Sequence, residues 1–62
     1  MTPDQMLHRA QRAEQLRKRL AEVERDREAT GLYEEALEAR RLRVEQKAAA
    51  VYWRSRAAGA QP

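Results

Sequence analysis

The side chains in this sequence that could do chemistry are carboxylates, a single histidine and a set of arginines. The acids are Asp4, Glu14, Glu22, Glu24, Asp26, Glu28, Glu34, Glu35, Glu38 and Glu45. General acid–base catalysis needs two such groups held in unlike environments, so that one stays protonated and the other ionised. Most of these acids instead have a basic residue three or four positions away, as Glu14 has Lys18. That spacing puts opposite charges side by side on one helical face in water. His8 has no cysteine or second histidine with which to hold a metal. Thr2, Thr30 and Ser55 have no histidine and acid in a local arrangement that would activate a hydroxyl. With Gly31 and Gly59 as its only glycines, the chain has no glycine-rich loop to cradle a phosphate. The expectation is therefore no catalytic residue, no cofactor, no metal, and a protein that is not an enzyme.

The arginines suggest binding rather than catalysis. Between positions 39 and 62, Arg40, Arg41, Arg43, Lys47, Arg54 and Arg56 face the single acid Glu45, and Tyr52 and Trp53 lie among them. Cations contact phosphates and aromatic rings stack on bases, so this segment supplies candidates for contact with RNA or DNA. A formal charge of +3 does not by itself require such a partner. The competing reading is that these cations balance acids elsewhere and the C-terminal end of a helix, with the aromatic rings packed on Met6 and Leu7.

These residues must be positioned by helices. Ala, Glu, Arg, Leu and Gln dominate the chain, and nearly every position holds a strong helix former. Thr2, Pro3 and Gln5 suit the N-cap, first and third positions of a helix, with Asp4 favourably placed against the helix dipole. From there to Ala29 nothing breaks a helix, and Met6, Leu7, Ala10, Ala13, Leu16, Leu20 and Val23 recur at three- and four-residue steps. Gly31 suits the left-handed position that ends a helix. Glu34 and Glu35 then fall in the first turn of a second helix, which carries the stripe Tyr33, Leu37, Val44, Ala48, Val51 and Tyr52.

Leu16, Val23, Thr30, Leu37, Val44 and Val51 are each seven residues apart. The register thus crosses Thr30-Gly31 unchanged, as it would in one long helix of a parallel coiled coil and equally in a hairpin folded at that point. Arg27, Glu34 and Arg41 decide between the two. In a parallel seam each would meet its own copy, whereas in a hairpin Arg27 and Glu34 become partners. The sequence therefore predicts an all-α, coiled-coil-like antiparallel hairpin of two helices, with the single long helix as the alternative. The expected boundaries are a helix over 3–29, a turn at 30–31, a helix over 32–57 and a frayed tail over 58–62. Leu16, Leu20, Val23, Leu37, Val44 and Val51 are the expected packing seam, within the hairpin or between copies in a dimer, with Val23 level with Leu37 and Val23→Asp expected to unfold the chain.

Two helices of a 62-residue chain leave part of such a stripe in water, and the chain has no cysteine to staple it. Completion by a second copy, as a four-helix bundle, or by docking on a larger assembly such as a multi-subunit complex or phage particle is expected. Leu42, Tyr52 and Trp53 are the candidates for holding a further protein partner. The first functional expectation is a structural or regulatory protein–protein interaction module; the second is a small basic nucleic-acid-binding protein. In architecture alone a dimer of basic-faced hairpins resembles the Rop-type RNA-binding bundles, and no residue-level match accompanies that resemblance. A membrane partner is disfavoured, because the apolar patch Ala48–Trp53 is short and mostly alanine. No secretory leader or membrane span is legible, so the expected location is the cytoplasm or a particle assembled there.

Overall fold

The computed structural model describes residues 1–60. Helix α1 runs Pro3–Ala29 and helix α2 runs Tyr33–Ala60, and the two pack against each other along their length as an antiparallel hairpin. The single long helix is thereby excluded. Helix α2 continues three residues past the expected end at 57, so positions 58–60 are helical rather than frayed. Gln61 and Pro62, the rest of the expected tail, lie outside the described residues.

Both ends of α1 are closed by side chains and backbone in the way its sequence dictates. The Gln5 backbone N–H donates to Thr2 Oγ1 at 3.2 Å, and the Thr2 N–H donates to Gln5 Oε1 at 2.9 Å. These two bonds satisfy N–H groups that the first turn otherwise leaves unpaired. At the far end the Leu32 N–H donates to the Arg27 carbonyl at 2.8 Å and the Gly31 N–H to the Glu28 carbonyl at 3.2 Å. That pattern requires a left-handed residue just past the helix, and Gly31 has φ +78°.

The two glycines make opposite predictions. A Cβ at Gly31 would meet nothing within 4 Å, so Gly31→Ala tests backbone strain alone and is expected to cost about 1 kcal/mol. Gly59 is helical and also has open space around it, so Gly59→Ala is expected to stabilise the chain by up to about 1 kcal/mol. Urea unfolding followed by far-UV circular dichroism measures both. A shift of the same sign in the two variants would contradict this account.

The contact between the helices is built from alanine. In α1 it follows Met6, Ala10, Ala13, Arg17, Leu20, Glu24 and Arg27, all buried or half-buried. In α2 it follows Ala36, Ala39, Arg43, Gln46, Ala50, Trp53 and Ala57, again all buried or half-buried. Both series step by alternating threes and fours, the spacing of a two-helix seam. Met6 and six alanines are the only fully buried residues among those described. The Cα envelope measures 50 × 13 × 13 Å, and alanine at the contact lets two helix backbones approach towards the short end of the roughly 8–10 Å range of helix packing.

As a contact within the hairpin, the expected seam is corrected by this finding. Leu16, Val23, Leu37, Val44 and Val51 are 41–62% exposed, and Leu20 alone of that set lies half-buried in the contact. The true seam runs one residue to the side in α1, where Arg17 and Glu24 follow Leu16 and Val23, and likewise in α2, where Ala36, Arg43 and Ala50 precede Leu37, Val44 and Val51. One residue is a rotation of about 100° on a helix, enough to move a side chain from the contact to its flank. Small side chains win the inner position because they let the backbones close in and make dispersion contacts along the whole length. Long polar residues fit beside them by laying their hydrocarbon stems along the contact and their charged ends at its edge.

The level of the two helices differs from expectation as well. Arg27 pairs with Glu35 at 3.3 Å rather than with Glu34. Arg43 Nε donates to Glu24 Oε1 at 2.8 Å within the seam. The three-residue turn, the Arg27–Glu35 pair and the Arg9–Trp53 stack set Ala13 level with Ala50 and Ala10 level with Trp53, and the Arg43 side chain reaches about one turn along α1 to meet Glu24. Val23 is accordingly not level with Leu37.

Candidate interaction surfaces

The hairpin has two broad sides, told apart by which pairs bridge the helices on each. On one side Arg54 approaches Glu14 at 4.0 Å. On the other Arg27 reaches Glu35, and the Arg9 guanidinium lies over the Trp53 ring, 5.1 Å from its centroid. The exposed apolar residues divide between these sides according to their heptad positions.

The Trp53 side carries a groove. Near the chain termini it is a shallow depression of about 930 Å³, lined by Arg9, Arg12, Ala13, Leu16, Ala49 and Trp53 among others. Towards the turn the same side continues through Leu20, Val23 and Leu42. Arg12 and Arg19 border it along α1, and Glu38 and Glu45 border it along α2. Both carboxylates are held by one guanidinium, Arg41, which also bonds Glu45 at 2.9 Å. Its hydrogen bond holds the Glu38 carboxyl below the usual carboxylate range, and Glu38 in turn raises Arg41. Two acids sharing one cation leave this border with one excess negative charge.

The Glu14 side carries a ridge on α2. Tyr33, Leu37, Arg40, Val44, Lys47, Val51 and Arg54 step by alternating fours and threes, and all are exposed. This is a second complete heptad seam on the same helix, with Leu37, Val44 and Val51 at one of its positions and Arg40, Lys47 and Arg54 at the other. On α1, Glu14 accepts hydrogen bonds from Arg17, at 3.0 Å from Nη2, and these hold its carboxyl below the usual range, with Arg54 adding to the effect. Arg40 and Lys47 have no carboxylate within ion-pair distance among the described residues.

The residues singled out for nucleic acid do not form one patch. Arg40, Lys47 and Arg54 share the ridge. Arg41 lies between Glu38 and Glu45, and Arg43 is committed to Glu24 in the seam. Arg56 lies over Tyr52, 5.7 Å from the ring centroid. Tyr52 and Trp53 meet edge to face, 5.0 Å apart, around the groove side rather than among the ridge cations. Of the candidates for a protein partner, Leu42 and Trp53 are half-buried along the groove, and Tyr52 is exposed beyond its edge. What sequence reasoning missed is that Leu37, Val44 and Val51 lie outside the contact between the two helices; their alternation with Arg40, Lys47 and Arg54 was the available signal.

No described helix is long and apolar enough to cross a membrane. No family model, curated protein or solved structure matches this chain.

Proposed function

We propose that this chain is a non-enzymatic structural or regulatory protein–protein interaction module, one that self-associates or serves as a small subunit of a larger assembly. The observation that carries this reading is the inversion of its apolar residues. Among the described residues the fully buried ones between its own helices are six alanines and Met6, with Leu20 and Trp53 half-buried beside them, while Leu16, Val23, Leu37, Val44 and Val51 are exposed to water. Burying such side chains is the main source of stability open to a small α-helical chain without disulfides or metals. A hairpin that leaves them outside is completed by whatever covers them.

Sedimentation equilibrium of the purified chain tests the reading directly. The expected result is a mass above 7.2 kDa that rises with concentration. A well-folded hairpin that stays at the mass of one chain at every concentration would count against self-association. The second reading, a small basic RNA- or DNA-binding protein, rests on the unpaired cations Arg40 and Lys47 of the ridge. It calls for retention on nucleic acid that weakens steeply with salt. The spread of the other cations over seam, ridge and groove side favours the first reading.

A further inference from the structure

The two exposed surfaces complement each other. The ridge of α2 presents Leu37, Val44 and Val51 as an apolar row with Arg40, Lys47 and Arg54 beside it. The opposite side presents Leu16, which lines the depression with Ala49 and Trp53, then Val23 and Leu42 towards the turn as an apolar row, with Glu38 and Glu45 on the α2 flank of that row. We propose that the chain assembles head to tail, the α2 ridge of one copy seating in the groove of the next. This rests on the self-association proposed above and specifies its geometry.

Charge decides for this pairing over like-on-like contact. A ridge against a second ridge would set Arg40 and Lys47 of the two copies opposite each other, whether the helices ran parallel or antiparallel. A ridge laid on the Glu14 side of α1 would meet Lys18 and Arg25, which flank that face. Against the groove, the cation row instead meets Glu38 and Glu45, whose border carries an excess negative charge because Arg41 serves both. Only one of the two ways of laying the ridge in the groove puts its cations on that border, since Arg12 and Arg19 repel them from the other. The two halves lie on opposite sides of one hairpin, so each copy that binds offers a fresh groove or ridge. Such a contact continues into a filament or closes into a ring, and it does not stop at a dimer.

Complementation between two variants tests this. Val44→Asp removes the ridge and keeps the groove, and Val23→Asp removes the groove and keeps the ridge. Each alone is expected to lose self-association by about a hundredfold or more, and an equimolar mixture is expected to form a complex of one copy of each with wild-type-like affinity to within about tenfold. Sedimentation velocity reads the masses, and circular dichroism checks that each variant is helical. If one aspartate variant is unfolded, Arg40→Glu/Lys47→Glu replaces it for the ridge or Glu38→Lys/Glu45→Lys for the groove; the two charge reversals are not mixed with each other, because their altered faces are themselves complementary. A mixture that stays at the mass of single chains overturns the head-to-tail contact, as does a wild-type mass that stops at two chains. A wild-type chain that associates while the mixture does not leaves self-association standing and removes only its proposed geometry. Binding of anionic lipid vesicles or RNA that survives Val44→Asp, with no association of the wild-type chain, would overturn both.

Discussion

Ala50→Leu is expected to cost about 1–3 kcal/mol and to lower the urea midpoint accordingly, the largest single effect on the stability of the hairpin. Ala50 has 0% of its surface exposed. The turn and the Arg27–Glu35 and Arg9–Trp53 pairs put Ala13 level with it. Ala50 is wholly enclosed between the helices, so three added carbons have no space to enter without spreading the backbones. Spreading the helices would thin the dispersion contacts of Ala10, Ala13 and Ala57 along the same seam. A chain of this size has roughly 3–9 kcal/mol of stability in total, so the loss is a substantial part of it. Ala48→Leu is the control. Ala48 is exposed, and leucine there is expected to change stability by no more than about 0.5 kcal/mol. Equal losses in the two variants would mean that the alanine seam does not hold the hairpin together.

The contrast between Ala50 and Ala48 also marks where the sequence stops being legible. The helices, the break at Thr30-Gly31 and the cap at Thr2 are local features. Each follows from a few neighbouring residues whose preferences agree, and each is visible without knowing what packs on what. The seam is not local. A three-four pattern of leucine and valine and a three-four pattern of alanine run side by side in both helices, one residue apart. Hydrophobicity ranks the first above the second, and alanine reads as background in a helix-rich composition. What reverses the ranking is distance, because only the small residues permit close approach, and distance is a property of the pair of helices. Two signals pointed to the alanine register. Glu24 and Arg43 sit in it with opposite charge, so that each can satisfy the other across the contact. The ridge residues Leu37, Val44 and Val51 also alternate with cations, which suits a boundary with another chain better than the inside of a hairpin. The candidate surfaces were legible in part. Leu42 and Trp53, read as candidates for a protein partner, lie half-buried on one side of the hairpin, whereas the cation cluster read along the chain as one patch separates in space, because adjacent positions on a helix point about 100° apart.

Val23→Asp separates the two roles most sharply. Were Val23 in the contact between α1 and α2, a carboxylate there would unfold the chain. At 41% exposure its side chain can turn a charge into water, so the hairpin is expected to remain helical. Association should not survive. In the contact with another copy the same carboxylate would be stripped of water beside Leu16 and Leu42, at a cost of at least about 3 kcal/mol, or a hundredfold and more in affinity. Thermal unfolding at several concentrations distinguishes these outcomes. Any association that favours the folded chain raises the melting temperature as concentration rises. The wild type is expected to show that rise, and Val23→Asp is expected to melt at one temperature throughout, near the value the wild type approaches on dilution. If Val23→Asp is unfolded even where the wild type is dilute and still helical, Val23 belongs to the core of the hairpin. The division between an alanine seam inside and a leucine-valine surface outside would then be wrong.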